Sequence, residues 1–322
     1  MTGLPRDILH CIGNTSLVAL RNIVPGNGSR ILLKLENETP TGSMKDRMAL
    51  AMIEAAEADG RLAADGSVVE YTGGSTGVSL SLVCAVKGYP LHIVSSDAFA
   101  REKLDHTAIL GARLRLVSSD GGKMTEKLTR DMIEAARVIA AETGGFWTDQ
   151  LNNEDQLAAY SALAEEIWRQ TSGRIDGFVQ AVGTAASLRG TADALRRHDA
   201  RIRIVAVETA ESPVLSGGRS GGHKIDGIGA GFVVPLWRPG IADGIERVST
   251  EEATAMALSL AREEGLFAGT STGANVIAAL RLAGQLGPDA TIVTIMCDTG
   301  MKYLATYCRH LASAQPGRVE SA

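Results

Sequence analysis

Aromatic residues are scarce in this chain, 4% of 322, while glycine is abundant at 36. Many glycines mean many tight turns and close approaches of backbone to a ligand. Basic charge is not in excess. The formal net charge is −5 and no basic patch stands out, so nucleic acid is not expected as a partner. No apolar run reaches the ~18 residues that a membrane span needs. Met1 to Asp7 lack the basic start and apolar core of a secretory leader, and a cytoplasmic location is expected. The four cysteines, Cys11, Cys84, Cys297 and Cys308, form no Cys-x-x-Cys pair and match no zinc spacing. Cys84 and Cys297 lie in apolar runs and read as buried small hydrophobes. The six histidines show no metal-ligand spacing, so no metal is expected and a catalytic histidine is not demanded.

What is present is material for two lobes. The length exceeds the commonest single-core domain, and 45% of residues are hydrophobic. Strand-like runs occur at Ile31–Leu35, Ser67–Glu70, Leu91–Ser95, Arg113–Val117, Gly177–Ala181, Ile202–Glu208 and Ala290–Met296. Helical patterning marks Arg47–Asp59, Val78–Lys87, Thr125–Thr143, Gln156–Thr171, Ser187–Arg197, Ser249–Glu264 and Gly273–Leu286. Strands alternating with helices of ~10–15 residues imply an α/β fold with open, mostly parallel sheets flanked by helices. One such series lies before about residue 150 and another after it, which places a cleft between two lobes. Residues 312–322 read as a disordered tail.

Four short segments carry the chemistry. Lys45 lies in Pro40-Thr41-Gly42-Ser43-Met44-Lys45-Asp46-Arg47, in the first turn of an expected helix. The positive helix end disfavours an ammonium there and lowers the lysine pKa, which suits a Schiff-base amine. A lysine in mid-sequence is otherwise an ordinary solvated residue. Thr72-Gly73-Gly74-Ser75-Thr76-Gly77 follows a strand and precedes a helix, where its N–H groups and hydroxyls suit a carboxylate. Gly183-Thr184-Ala185-Ala186-Ser187 is placed likewise and suits a phosphate dianion. Gly269-Thr270-Ser271-Thr272-Gly273 offers hydroxyls that can hydrogen-bond a pyridine nitrogen without fully protonating it. Each of the three turns is also explained by simple helix capping. One lysine together with several anion nests points to pyridoxal phosphate acting on an amino acid. Gly227-Ile228-Gly229-Ala230-Gly231 is not a dinucleotide fingerprint, because its spacing is incomplete and no helix follows. Gly121-Gly122-Lys123-Met124-Thr125 is not a P-loop.

Taken in order, these segments resemble the cysteine synthase/cystathionine β-synthase family of fold-type II pyridoxal-phosphate enzymes. The resemblance runs from Ile12-Gly13-Asn14-Thr15-Ser16-Leu17-Val18 through His223-Lys224-Ile225-Asp226-Gly227-Ile228-Gly229-Ala230-Gly231 to Gly300-Met301-Lys302-Tyr303-Leu304. It implies a tryptophan synthase β-like fold with a smaller domain of residues 39–150 and a larger one of 1–38 and 151–311. It implies that Lys45 carries the cofactor and shuttles the α-proton. Gly183, Thr184, Ala185, Ala186 and Ser187 would bind the phosphate, and Ser271 would face the ring nitrogen. Thr72, Gly73, Ser75 and Thr76 would hold the substrate carboxylate, with Gln150 reaching it from the second lobe and Gly227 lining the entrance. Ser75 would also bind cofactor, in the place of the family's Asn. The reaction implied is β-replacement on a serine-derived amino acid through an aminoacrylate, in a homodimer. A β-eliminating dehydratase or desulfhydrase, or a non-catalytic relative, are the alternatives. Departures from the family pattern at Ser75, Gly183–Ser187, Gln150–Gln156 and Asp298-Thr299-Gly300 cluster around the substrate. They point to a leaving group or nucleophile other than the usual O-acetylserine and sulfide.

Overall fold

The computed structural model describes residues 7–24, 26, 28–122 and 125–314. The chain start, Lys123 and Met124 of the rejected P-loop, and the expected tail beyond Ala314 lie outside the described residues, while residues 312–314 of that expected tail are helical rather than disordered.

Two sheets organise the molecule. The smaller contains β3 (Val68–Tyr71), β4 (Leu91–Ser96), β5 (Arg113–Val117) and β6 (Phe146–Trp147), in the order β5-β4-β3-β6 and wholly parallel. The larger contains β1 (Leu17–Ala19), β2 (Arg30–Leu35), β7 (Gly177–Ala181), β8 (Arg203–Thr209), β9 (Gly244–Val248) and β10 (Thr291–Met296). Its order is β1-β2-β10-β7-β8-β9, and only the β1–β2 pair is antiparallel. The central strands β3, β7 and β10 are buried at every position, as parallel strands covered on both faces must be. Edge strand β5 alternates arginines with apolar residues and stays largely exposed, which blunts further pairing.

Helices α1 (Lys45–Asp59), α2 (Ser75–Lys87), α3 (Arg101–Ile109) and α4 (Glu126–Thr143) accompany the smaller sheet. The larger sheet has α5 (Gln156–Gln170), α6 (Ala186–His198), α7 (Thr250–Ser259) and α8 (Thr270–Leu286), and α9 (Leu304–Ala314) closes the described chain. Helix α4 begins where Thr125 Oγ1 accepts the Leu128 N–H, and α7 begins with a reciprocal Ser249/Glu252 capping box.

All seven expected strands are present, most within a residue of their expected bounds. The short strands β1, β6 and β9 carry too little periodicity to be read from sequence. Three helices start earlier than expected, α1 at Lys45, α2 at Ser75 and α8 at Thr270. In α2 and α8 the hydroxyl- and glycine-rich residues read as a turn form the first helical turn, whereas α1 starts after its Thr41-Gly42-Ser43 turn. The helix expected over Ser249–Glu264 instead changes to a wider π turn at Leu260–Glu264. That turn presents Glu264, whose carboxylate accepts N–H groups of Arg21, Asn22 and Ile23.

Candidate active site

The carboxyl ends of β3, β4, β6, β7 and β10 all open onto one cavity of about 410 Å³, the place where ligands bind in open α/β sheets. Lys45 is the first residue of α1 and lines this cavity. Burial pushes its ammonium pKa below the usual lysine range; nearby Cys297 and Asp298 oppose the shift and Lys103 adds to it. The cause is therefore desolvation before any helix-end effect.

Of the residues expected from the sequence, Lys45, Thr72, Gly73, Ser75, Thr76, Gln150, Gly183, Thr184, Ser187, Gly227 and Ser271 all line the cavity. Ala185 and Ala186 are buried and do not line it, so they can offer backbone alone. Among the described residues the N–H groups of Gly183, Thr184 and Ala185 have no hydrogen-bond partner, and the same holds for Gly73, Ser75 and Thr76. Two sets of free donors thus lie in turns that border one cavity, each at a helix N-terminus. Gly183 permits this crowding: a Cβ there would sit 2.3 Å from the Gly227 carbonyl oxygen. These features fit a group that brings an aldehyde carbon to Lys45 and a phosphate to the Gly183–Ser187 turn.

Gln150 differs in origin from the expectation. It follows β6, which pairs with β3, so it belongs to the smaller-sheet side rather than reaching across from the other. Its Nε2 donates to the Tyr71 carbonyl at 2.8 Å, its Oε1 accepts the Thr76 hydroxyl at 2.9 Å, and its N–H reaches Glu70 at 2.9 Å.

Several cavity residues escaped sequence reasoning. Ser75 Oγ donates to Asp298 Oδ2 at 3.2 Å, and the Tyr303 hydroxyl donates to the same oxygen at 2.6 Å. Lys103 Nζ donates to Asp226 at 2.8 Å and to the Tyr303 hydroxyl at 3.1 Å. Asp226 and Tyr303 lie inside quoted motifs and Asp298 at a noted departure, whereas nothing local distinguishes Lys103 from a solvated helix lysine. His223 is a loop staple: Nε2 donates to the Gly229 carbonyl at 2.9 Å while Nδ1 accepts the Ile225 N–H at 3.3 Å. Beneath the cavity, Asn275 donates to Gln180, and Gln180 donates to Ser187. Cys297 is pushed up to about 11 by burial and remains a neutral thiol beside Ser271.

Comparison with known proteins agrees with this geometry. The pattern of the family described as pyridoxal-phosphate dependent enzyme matches residues 8–298. A cysteine synthase of Staphylococcus aureus is 37% identical over 302 residues, 93% of this chain and 96% of that protein. The crystal structure of a cysteine synthase from Entamoeba histolytica superposes with a TM-score of 0.89 at 34% identity, covering 100% of this chain and 94% of the other. An O-ureido-L-serine synthase structure gives a TM-score of 0.89 at 31% identity over 99% and 98% of the two chains.

Proposed function

The chain belongs to the pyridoxal-phosphate dependent enzyme family, and from that premise we propose that it replaces the β-substituent of a serine-derived amino acid, as a cysteine synthase does. The observation that carries the proposal is the placement of Lys45, a desolvated amine between two clusters of unpaired backbone donors in one cavity.

Pyridoxal phosphate, when bound, supplies an aldehyde for amine condensation and a ring that withdraws electrons from the amino-acid Cα. Lys45 Nζ is the amine that would hold it, and afterwards the base that takes and returns the Cα proton. The N–H groups of Gly183, Thr184, Ala185, Ala186 and Ser187 would hold the phosphate, and the Ser271 hydroxyl would meet the ring nitrogen. Thr72, Gly73, Ser75 and Thr76 would grip the substrate carboxylate. Gln150, anchored on Tyr71 and Thr76, would fix that grip and so aim the Cα–H bond at Lys45. Gly227, with φ +82, would let the entrance loop fold against Gly183. Ser75 would leave more room beside the cofactor than an Asn, because its hydroxyl is turned to Asp298.

We further infer that residues 39–150 form one domain and 1–38 with 151–311 the other, and that the protein works as a homodimer. Family resemblance supports both. A cytoplasmic setting accords with four free cysteines, two of them exposed.

The test supplies cofactor-loaded protein with O-acetylserine and other O-activated serines. Release of the β-substituent, followed by a β-substituted amino acid once a thiol or amine is added, is the expected result. Pyruvate and ammonia as the only products, whatever nucleophile is present, would make the protein an eliminating lyase instead.

A further inference from the structure

One buried carboxylate beside the cavity has no part in the roles above. Glu70, on β3, is fully buried and does not line the cavity. Its Oε1 accepts the Tyr71 N–H at 2.8 Å. Its Oε2 accepts the Gln150 N–H at 2.9 Å and the Thr148 hydroxyl at 2.6 Å. All three contacts donate to it, and a carboxylate is the side chain that accepts on both ends. Among the described residues it has no ion-pair partner, and the charged group that acts on it is the carboxylate of Asp149. Burial pushes its pKa up to about 8, with Asp149 adding to the rise and the three hydrogen bonds opposing it. A buried carboxylate without a cation is costly, and such groups gather at functional sites.

What Glu70 holds explains its presence. Thr148 and Gln150 flank Asp149, whose backbone is left-handed at φ 43. A non-glycine residue in that region is strained and persists where its surroundings fix it. Glu70 Oε2 clasps both flanks of this kink. The kink leads the chain out of β6 to Gln150, whose Nε2 rests on the Tyr71 carbonyl and whose Oε1 takes the Thr76 hydroxyl. Glu70 therefore grips the N–H of Tyr71 and the N–H of Gln150 at once. Between Tyr71 and Thr76, the two residues that Gln150 brackets, runs the turn with the unpartnered N–H groups of Gly73, Ser75 and Thr76.

Building on the reading of Thr72–Thr76 as the carboxylate grip, we propose that Glu70 is a positioning residue for substrate selection. By pinning the Asp149 kink it aims Gln150, and so makes the cavity choose amino acids by their free α-carboxylate. It acts through Gln150 and touches neither substrate nor cofactor.

Spectral titration of the cofactor-loaded protein tests this without turnover. L-Alanine carries an α-amine and an α-carboxylate but no leaving group; L-alaninamide has the amine and a neutral amide. Wild type is expected to bind alanine at least about tenfold more tightly than alaninamide at one pH. Glu70→Gln sets an amide NH2 against one of the donors and should cut that preference to below about threefold by weakening alanine alone. An unchanged preference, or equal losses for both ligands, overturns the inference. Gln150→Ala should lower the preference as far, and adding Glu70→Gln to it should lower it no further. Losses that multiply would mean that Glu70 does not act through Gln150. If Glu70→Gln fails to fold, Thr148→Val decides: loss of one donor should reduce the preference by at least about twofold, and no reduction overturns the inference. Wild type with no preference for alanine removes both the inference and the carboxylate grip. O-acetylserine given to wild type reads β-replacement separately: if no β-substituent is released, that reaction is removed while the alanine preference, and the part of Glu70 in it, stands.

Discussion

Ala185 holds a left-handed backbone at φ 72, a region where a side chain costs about 1–2 kcal/mol and glycine costs nothing. It sits between Thr184 and the first residue of α6, and its N–H has no hydrogen-bond partner among the described residues. Strain of this kind at a non-glycine residue marks a backbone shaped for a ligand. Ala185→Gly is expected to raise the unfolding free energy by roughly 0.5–1 kcal/mol, net of glycine's larger unfolded-state entropy, and to keep cofactor binding. Urea unfolding of the two proteins measures it, and a loss of stability would show that the alanine methyl packs better than the backbone suffers. At this scale much of the site was legible. Lys45 and the hydroxyl–glycine turns announced themselves because anion nests need small residues at helix N-termini. Lys103, Asp226, Tyr303 and Asp298 did not, because their meaning lies in contacts between segments far apart in the chain.

Helix α1 is held by a buried ionic network directly under the lysine. Arg47 Nε reaches Glu36 at 2.6 Å and Nη1 reaches Glu166 at 2.8 Å, while Lys34 Nζ reaches Glu166 at 2.7 Å. The Thr15 hydroxyl donates to Glu36 at 2.7 Å and the Asn14 N–H to Glu166 at 2.9 Å. The Ile12–Val18 segment, which looks remote from the chemistry, therefore sets the foot of the helix that begins at Lys45. On the other side Asp46 accepts the Thr41 N–H at 2.8 Å and the Ser79 hydroxyl at 2.6 Å, tying α1 to α2. Arg47→Met leaves two carboxylates buried with Lys34 as their nearest cation. A loss of about 3–5 kcal/mol is expected in denaturant unfolding, as for a buried pair that loses one partner. A loss below about 1 kcal/mol would mean that the network relaxes or hydrates at little cost. The sequence showed the elements but misplaced the starts of α2 and α8, because Ser, Thr and Gly favour turns until neighbouring strands fix them into a first helical turn.

At the scale of the whole molecule, the same network ties acid stability to the site. Burial would raise the Glu166 carboxyl, but the hydrogen bond and charge of Arg47, with Lys34, overcome this and hold it down to about 2 against an ordinary 4.5. A carboxyl lowered in the folded state contributes stability that is complete above its unfolded value and is lost as pH falls through its folded value. Stability should therefore decline between about pH 4.5 and pH 2, and Glu166→Gln, though less stable at neutral pH, should decline less over that window. Equal declines in the two proteins would remove Glu166 from the account. The parallel architecture was readable from alternating strands and helices, since buried central strands leave long apolar runs; the three shortest strands were not, because pairing rather than pattern creates them. Both sheets send their carboxyl ends to one cavity, and the central claim is that Lys45 is the amine there that carries the cofactor. Borohydride reduction of the loaded protein, followed by peptide mapping, tests it most directly. The pyridoxyl group is expected on Lys45 alone, and a label on Lys103, Lys302 or any other lysine in its place would contradict the account.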